Sequence, residues 1–238
     1  MELTICHLYP ELLNMYGDIG NVTILKSRAG QRGINAKVIN YSAGDRFTPS
    51  DYDIVFFGGG QDFEMSVVEK DIRENIIEGI RDFIENNGVM LAICGGHQML
   101  GQYYVTPGGE KIDGLGILPH YTEGSEKRLI GNIVTDINGY KAIGFENHAG
   151  RTYIDSLTPL GKVLKGHGNN GEDGTEGLRY KNTYCTYMHG PFLSKNPAVA
   201  DELLRKALEK KYGAVSLSPL DDEFEQSARR SLLRKFNV

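Results

Sequence analysis

The chain has 238 residues, and 26 lysines and arginines against 31 aspartates and glutamates leave a net charge of −5 at neutral pH. That balance excludes a strongly basic nucleic-acid binder, and a hydrophobic share of 40% excludes disorder for the bulk of the chain. Cys6, Cys94 and Cys185 are an odd number without a Cys-x-x-Cys pair, which fits a reducing compartment, and no apolar run approaches the ~20 residues that span a bilayer. The opening Met-Glu-Leu-Thr-Ile-Cys carries no basic and apolar export signal, so a cytoplasmic protein is expected.

A strand at 2–8, a helix near 21–32 and a strand at 36–41 are predicted first. Ile54-Val55-Phe56-Phe57 then forms an apolar run without polar alternation, as in a strand buried on both faces, and ends at Gly58-Gly59-Gly60. Ile72, Ile76, Ile77, Ile80, Phe83 and Ile84 recur three and four apart and predict a helix from about 66 to 86, which Asn86-Asn87-Gly88 stops. Val89-Met90-Leu91-Ala92-Ile93 is a second buried strand. Two successive βαβ units make this an α/β chain with an open, mostly parallel sheet flanked by helices. After Gly101, short β-like runs at 131–137, 141–145, 160–164 and 184–188, with Asn138-Gly139 as a hairpin turn, predict an antiparallel extension of the sheet. The end returns to helix, with Leu203, Leu204, Ala207 and Leu208 in one segment and Phe224, Ala228, Leu232 and Phe236 in another. No repeat or linker divides the chain, so residues 1–238 read as a single domain. The glycine-rich segment 166–177 is either a flexible tip or a docking loop.

The sharpest chemical signal is Leu91-Ala-Ile-Cys94-Gly-Gly-His-Gln98, a buried strand that ends at a cysteine, two glycines and a helix start. At such an elbow the nucleophile stands above the sheet edge, and the helix N-terminus favours its thiolate. The N–H of Gly95 then points to where an oxyanion forms. A core cysteine, the bland alternative, has no need of two glycines at a strand-to-helix turn. Of the six histidines, His189 is the best-placed base, because it ends the run 184–188 and precedes Gly190-Pro191, at the carboxyl edge where open α/β sheets build their sites. His97 is carried away from the thiol by its helix and reads as structural or substrate-lining. Gly58-Gly59-Gly60 lacks both nucleotide-binding glycine patterns, so a second oxyanion donor, from Gly59 or Gly60, is preferred over a phosphate cradle or a simple turn. Cys185-x-x-x-His189 is half a zinc pattern, and no metal is expected. Arg128 and Arg151 are both candidates to hold a substrate carboxylate, and residue type alone does not choose between them.

Ala92-Ile-Cys94-Gly-Gly96-His-Gln98 resembles the Gly-x-Cys-x-Gly-x-Gln elbow of class I, triad-type glutamine amidotransferases, with Ala92 where glycine is usual. Triad members carry His-x-Glu at the histidine, whereas this chain has His189-Gly190-Pro191, which points to the cobyric-acid-synthase-like branch. Within it, Asn14-Met-Tyr-Gly-Asp18-Ile-Gly-Asn21, Arg128-Leu-Ile-Gly131, Gly144-Phe-Glu-Asn-His-Ala-Gly-Arg-Thr-Tyr153 and Tyr187-Met-His-Gly-Pro191 are similar to stretches of the glutaminase subunits of lipid II isoglutaminyl synthases. The resemblance implies Cys94 as nucleophile, His189 as base and Arg128 as the residue that holds L-glutamine; in the mechanism expected here, the N–H groups of Gly60 and Gly95 hold the oxyanion. It further implies a heterodimer with a Mur-ligase-like synthetase subunit, which binds lipid II and carries ATP and Mg, and no cofactor in this chain. The missing glutamate leaves two expectations for the third catalytic group: an acid of the partner, or Glu146 from within the chain. Rival readings are a stand-alone cysteine hydrolase of the DJ-1 or PfpI type and a non-catalytic regulatory module.

Overall fold

A computed structural model describes residues 1–238, position 62 by its backbone alone. The first half of the chain runs β1 (Glu2–Leu8), α1 (Ile19–Gly30), β2 (Asn35–Tyr41), β3 (Ile54–Phe57), α2 (Asp62–Asp71), a π-helical turn (Ile72–Ile76), α3 (Ile77–Glu85), β4 (Val89–Ile93) and the short α4 (Gly95–Met99). The second half is mostly strands: β5 (Tyr103–Val105), β6 (Lys111–Asp113), β7 (Tyr121–Ile137), β8 (Tyr140–Tyr153), β9 (Gly161–Lys165), β10 (Thr175–Glu176), β11 (Leu178–Tyr180) and β12 (Thr183–Thr186). It closes with α5 (Pro197–Tyr212) and α6 (Glu223–Phe236).

The first sheet has the order β11-β12-β4-β3-β1-β2 and is parallel except for β11 at its edge. Every residue of β3, β4 and β12 is buried, because alternate side chains enter different cores. Ile5, Phe56 and Leu91 pack with Val22 and Leu25 of α1 and Leu203 and Leu204 of α5. Leu8, Val55, Phe57 and Met90 pack with Val68, Ile80, Phe83 and Ile84 on the other face. The apolar spacing that predicted one helix at 66–86 therefore corresponds to α2, the π turn and α3.

The predicted hairpins divide between two sheets. β11 and β12 extend the parallel sheet, whereas β7 and β8 form the spine of a second one, ordered β10-β9-β7-β5-β6 with β8 on the free edge of β7. β7 and β8 pair from Ile137 opposite Tyr140 to Tyr121 opposite Tyr153, turning at Asn138 and Gly139, both at positive φ (52° and 87°). Phe145 and His189 exchange backbone hydrogen bonds of 3.2 and 2.8 Å, which seat β8 against the carboxyl edge of the first sheet. The segment 166–177 is docked. Glu146, fully buried on β8, accepts the N–H groups of His167 and Gly168 at 2.8 and 2.9 Å, and the Asn169 amide is paired with both backbone groups of Gly177.

The helix layer is tied by one charge cluster. Arg28 of α1 donates to both carboxylate oxygens of Asp201 on α5 and of Asp222 at the start of α6, at 2.7–2.9 Å, and Arg32 adds two bonds to Asp201. Burial opposes ionisation of Asp201, but the bonds from Arg28 and Arg32 prevail and hold it below its ordinary range. Its contribution to stability is thus present above the unfolded-state value of about 3.9 and is lost as pH falls through the lower folded-state value. Asp201→Asn is expected to lower stability at neutral pH by about 1.5–3 kcal/mol, the worth of hydrogen bonds to a charged group. Denaturant unfolding of both forms checks this, and the loss on acidification below about pH 4 should be smaller in the variant.

Candidate active site

β4 delivers Cys94 to the carboxyl edge of the parallel sheet, where its backbone turns to φ 49° and ψ −102° before α4 begins at Gly95. The Cys94 N–H donates to the Thr186 carbonyl of β12 at 2.8 Å, and the Gly96 N–H to the Gly58 carbonyl at 3.1 Å, so both neighbouring strand ends hold the elbow. The glycines are steric requirements. A β-carbon on Gly96 would lie 2.6 Å from the Phe57 carbonyl oxygen, and one on Gly95 would meet the Met65 sulfur at 2.6 Å and the Gly60 nitrogen at 3.2 Å. Gly95 and Gly60 are thus brought together beside Cys94. As the first helical residue, Gly95 has no intrahelical acceptor for its N–H.

His189 follows β12 and is 1% exposed. Its Nδ1 lies 3.3 Å from Oδ1 of Asp18, which is wholly buried and whose Oδ2 accepts the Gly59 N–H at 3.1 Å. With Nδ1 so engaged, the buried Nε2, which has no hydrogen-bond partner among the described residues, is left to exchange a proton with Cys94. Burial lowers the basicity of the imidazole, but the hydrogen bond to Asp18 and the nearby Cys94 sulfur outweigh it and raise His189 to about 10. Nucleophile, base and acid meet at Gly59. A β-carbon there would stand 3.3 Å from Cβ of Cys94, 3.5 Å from Cε1 of His189 and 3.6 Å from Oδ2 of Asp18.

Asp18 was visible in the sequence only as part of a matching stretch, without a role. It sits at the N-cap position of α1, where an aspartate ordinarily accepts a helix N–H, yet its side chain makes no capping bond. Asn14 caps instead, its Oδ1 accepting the Ile19 N–H at 2.9 Å. A cap residue whose oxygens are spent elsewhere is the local mark of this role, and it appears only in three dimensions. The same turn accounts for Pro191: a β-carbon on Gly20 would lie 2.1 Å from Cγ of Pro191, so the ring that replaces the usual glutamate packs on the segment that brings Asp18. Glu146, the in-chain acid expected from the sequence, does not serve His189. Both its oxygens hold the 166–177 loop, and burial raises its pKa.

Cys94 opens into a cleft of about 460 Å³, also lined by Gly60, Gln98, Arg128, Asn147 and His148. Arg128 reaches it from β7, with Nε and Nη2 bonded to Asn147, whereas Arg151 does not line it and donates to the carbonyls of Ala149 and Lys127. His97 is fully buried behind the elbow, with its ring 5.0 Å from His120 and 5.1 Å from Tyr187, and burial holds it neutral. It does not line the cleft. Cys185 is wholly buried within β12, and burial pushes its thiol up.

The model of the CobB/CobQ-like glutamine amidotransferase domain matches residues 4–197. The lipid II isoglutaminyl synthase subunit GatD of Streptococcus pneumoniae is 46% identical over 94% of this chain and 88% of its own length. That of Staphylococcus aureus is 44% identical over 99% and 97%. A probable cobyric acid synthase of Methanothermobacter thermautotrophicus is 33% identical over 61% of this chain and 31% of its own. Among solved structures, PurLQS from Thermotoga maritima superposes with a TM-score of 0.58 at 17% identity, covering 88% of this chain and 97% of that one, which speaks to the fold. This chain therefore belongs to the CobB/CobQ-like glutamine amidotransferases.

Proposed function

We propose that the chain is the glutaminase subunit of a lipid II isoglutaminyl synthase, releasing ammonia from L-glutamine for a synthetase partner. The observation that carries this reading is the elbow Cys94 backed by His189 and Asp18, opening on a cleft that also holds an arginine suited to an amino-acid carboxylate. That arginine, and near-full-length relatives named as glutamine-hydrolysing subunits, favour a glutaminase over a stand-alone hydrolase or a regulatory module.

In this reading the Cys94 thiolate attacks the side-chain amide carbon of glutamine. The N–H groups of Gly95 and Gly60 stabilise the tetrahedral oxyanion. The carbon–nitrogen bond then breaks as the His189 imidazolium protonates the departing ammonia, leaving a γ-glutamyl thioester on Cys94. Water adds to the thioester with His189 taking its proton, and the thiolate leaves, giving glutamate. Asp18 orients the imidazole and stabilises its charged form, the part that the missing His-x-Glu glutamate plays elsewhere. It removes the need for an acid from the partner.

The partner in this proposal is a Mur-ligase-like subunit that holds ATP, Mg and lipid II and uses the ammonia to amidate the α-carboxyl of D-glutamate in the stem peptide. A cytoplasmic location goes with it. No helix among the described residues is long and apolar enough to cross a membrane.

Glutamate release by wild type and Cys94→Ala, each with and without the synthetase subunit, tests the reading. Activity is expected in wild type and none in the variant, and absence of release by wild type with its partner would overturn the glutaminase. Asp18→Asn is expected to lower kcat/KM by about two to four orders of magnitude, as loss of a triad acid does. With His189 raised to about 10, the imidazolium that protonates the departing ammonia is present through neutral pH and is lost above that value, so activity should fall on the alkaline side. Removal of the Asp18 carboxylate should move that fall to lower pH, as a pH–rate profile would record. Retention of full activity by Asp18→Asn in the complex would instead assign the acid to the partner. Gly59→Ala is expected to cost at least about tenfold in kcat, since displacements of this order disturb near-attack geometry, with an unchanged thermal midpoint.

A further inference from the structure

Asn147, on β8, spends its polar groups on two neighbours. Its side-chain Oδ1 accepts from Nε of Arg128 and its carbonyl oxygen from Nη2, both at 2.8 Å, while its Nδ2 donates to the Tyr16 hydroxyl at 2.6 Å. The guanidinium is thereby held along one edge, with Nη1 directed to no acceptor among these bonds. Tyr16 in turn stands edge-on to the His189 ring, with centroids 4.8 Å apart at 63°. A continuous path of contacts thus joins the cleft arginine to the catalytic histidine.

Tyr16 does not occupy this place to fill a core. It is 44% exposed, and its backbone lies at φ 56° and ψ 23°, a left-handed conformation uncommon for a bulky residue and kept only where surroundings impose it. The Asn147 bond at the hydroxyl and the His189 contact at the ring hold it there. Two residues further on, the same turn supplies Asp18. Any shift of Tyr16 is therefore felt on two sides of the imidazole.

We infer that Asn147 and Tyr16 are positioning residues that couple the grip of Arg128 on the substrate's α-carboxylate to the placement of His189. This rests on the glutaminase reading and deepens it. Neither residue touches the reacting atoms: Asn147 acts through Arg128, and Tyr16 acts through His189. The function of the strut is to make correct carboxylate binding a condition for a correctly placed base, which selects for free glutamine over side-chain amides that lack the carboxylate.

The test is steady-state glutamine hydrolysis, with the synthetase subunit present, by wild type, Tyr16→Phe, Arg128→Ala and the Tyr16→Phe/Arg128→Ala double variant. Tyr16→Phe keeps the ring on His189 and removes only the hydroxyl. It is expected to raise KM about threefold to tenfold and to lower kcat by a similar factor, a combination that loss of simple binding does not produce. In the double variant the Tyr16→Phe effect should shrink to within about twofold of Arg128→Ala alone, because coupled sites are not additive. Unchanged KM and kcat in Tyr16→Phe, or an effect that multiplies in full on the Arg128→Ala background, would overturn the strut while leaving the glutaminase standing. Absence of hydrolysis by wild type would overturn both.

Discussion

Cys94 is held in a backbone conformation that its own β-carbon opposes, at φ 49° and ψ −102°. What imposes it is the sheet. β12 takes the Cys94 N–H, the end of β3 takes the Gly96 N–H, and the absence of a side chain at Gly96 lets the Phe57 carbonyl stand where a β-carbon would be. Strain of this kind, of order 1–3 kcal/mol, persists only where surrounding structure over-determines it. The fully buried strands on either side provide that. The Cys94 thiol is the visible end of an arrangement whose cost is met by apolar packing beneath it.

The groups that act with the thiol arrive from distant parts of the chain. Asp18 and His189 are 171 residues apart, and Gly59 supplies the N–H that fixes the second oxygen of the carboxylate. Burial matters as much as distance. In a water-poor setting the attraction between a carboxylate and an imidazolium is little screened, so burial, which alone would strip the imidazole of its proton, ends by favouring the charged pair.

Elements with strong periodicity were legible in the sequence: β1, β4, the hairpin turn at Asn138-Gly139 and the terminal helices lie where the pattern put them. The second sheet was less so, because the first half of β7 is polar and breaks register between Gly124 and Leu129, which hides a strand from any alternation rule. Cys94 and His189 announced themselves because each sits where a buried apolar run meets glycine, a local signature. Asp18 lacked one: in sequence it is one residue of a matching stretch, and its place at the start of α1, with the capping bond made by Asn14, appears only in the fold. Glu146, the in-chain alternative taken from the matching stretch 144–153, has both oxygens engaged in pinning a loop, which no residue pattern announces.

The contact between Pro191 and Gly20 limits how this branch of the fold can be converted into its relatives. A glutamate at 191 would lose the ring wedged against α1 and bring a second carboxylate toward Asp18, where mutual repulsion would drive one of the two to take up a proton. The histidine therefore accommodates one acid within this chain, drawn either from its own strand or from the first helix. Exchanging one solution for the other requires changes at 18, 20 and 191 together.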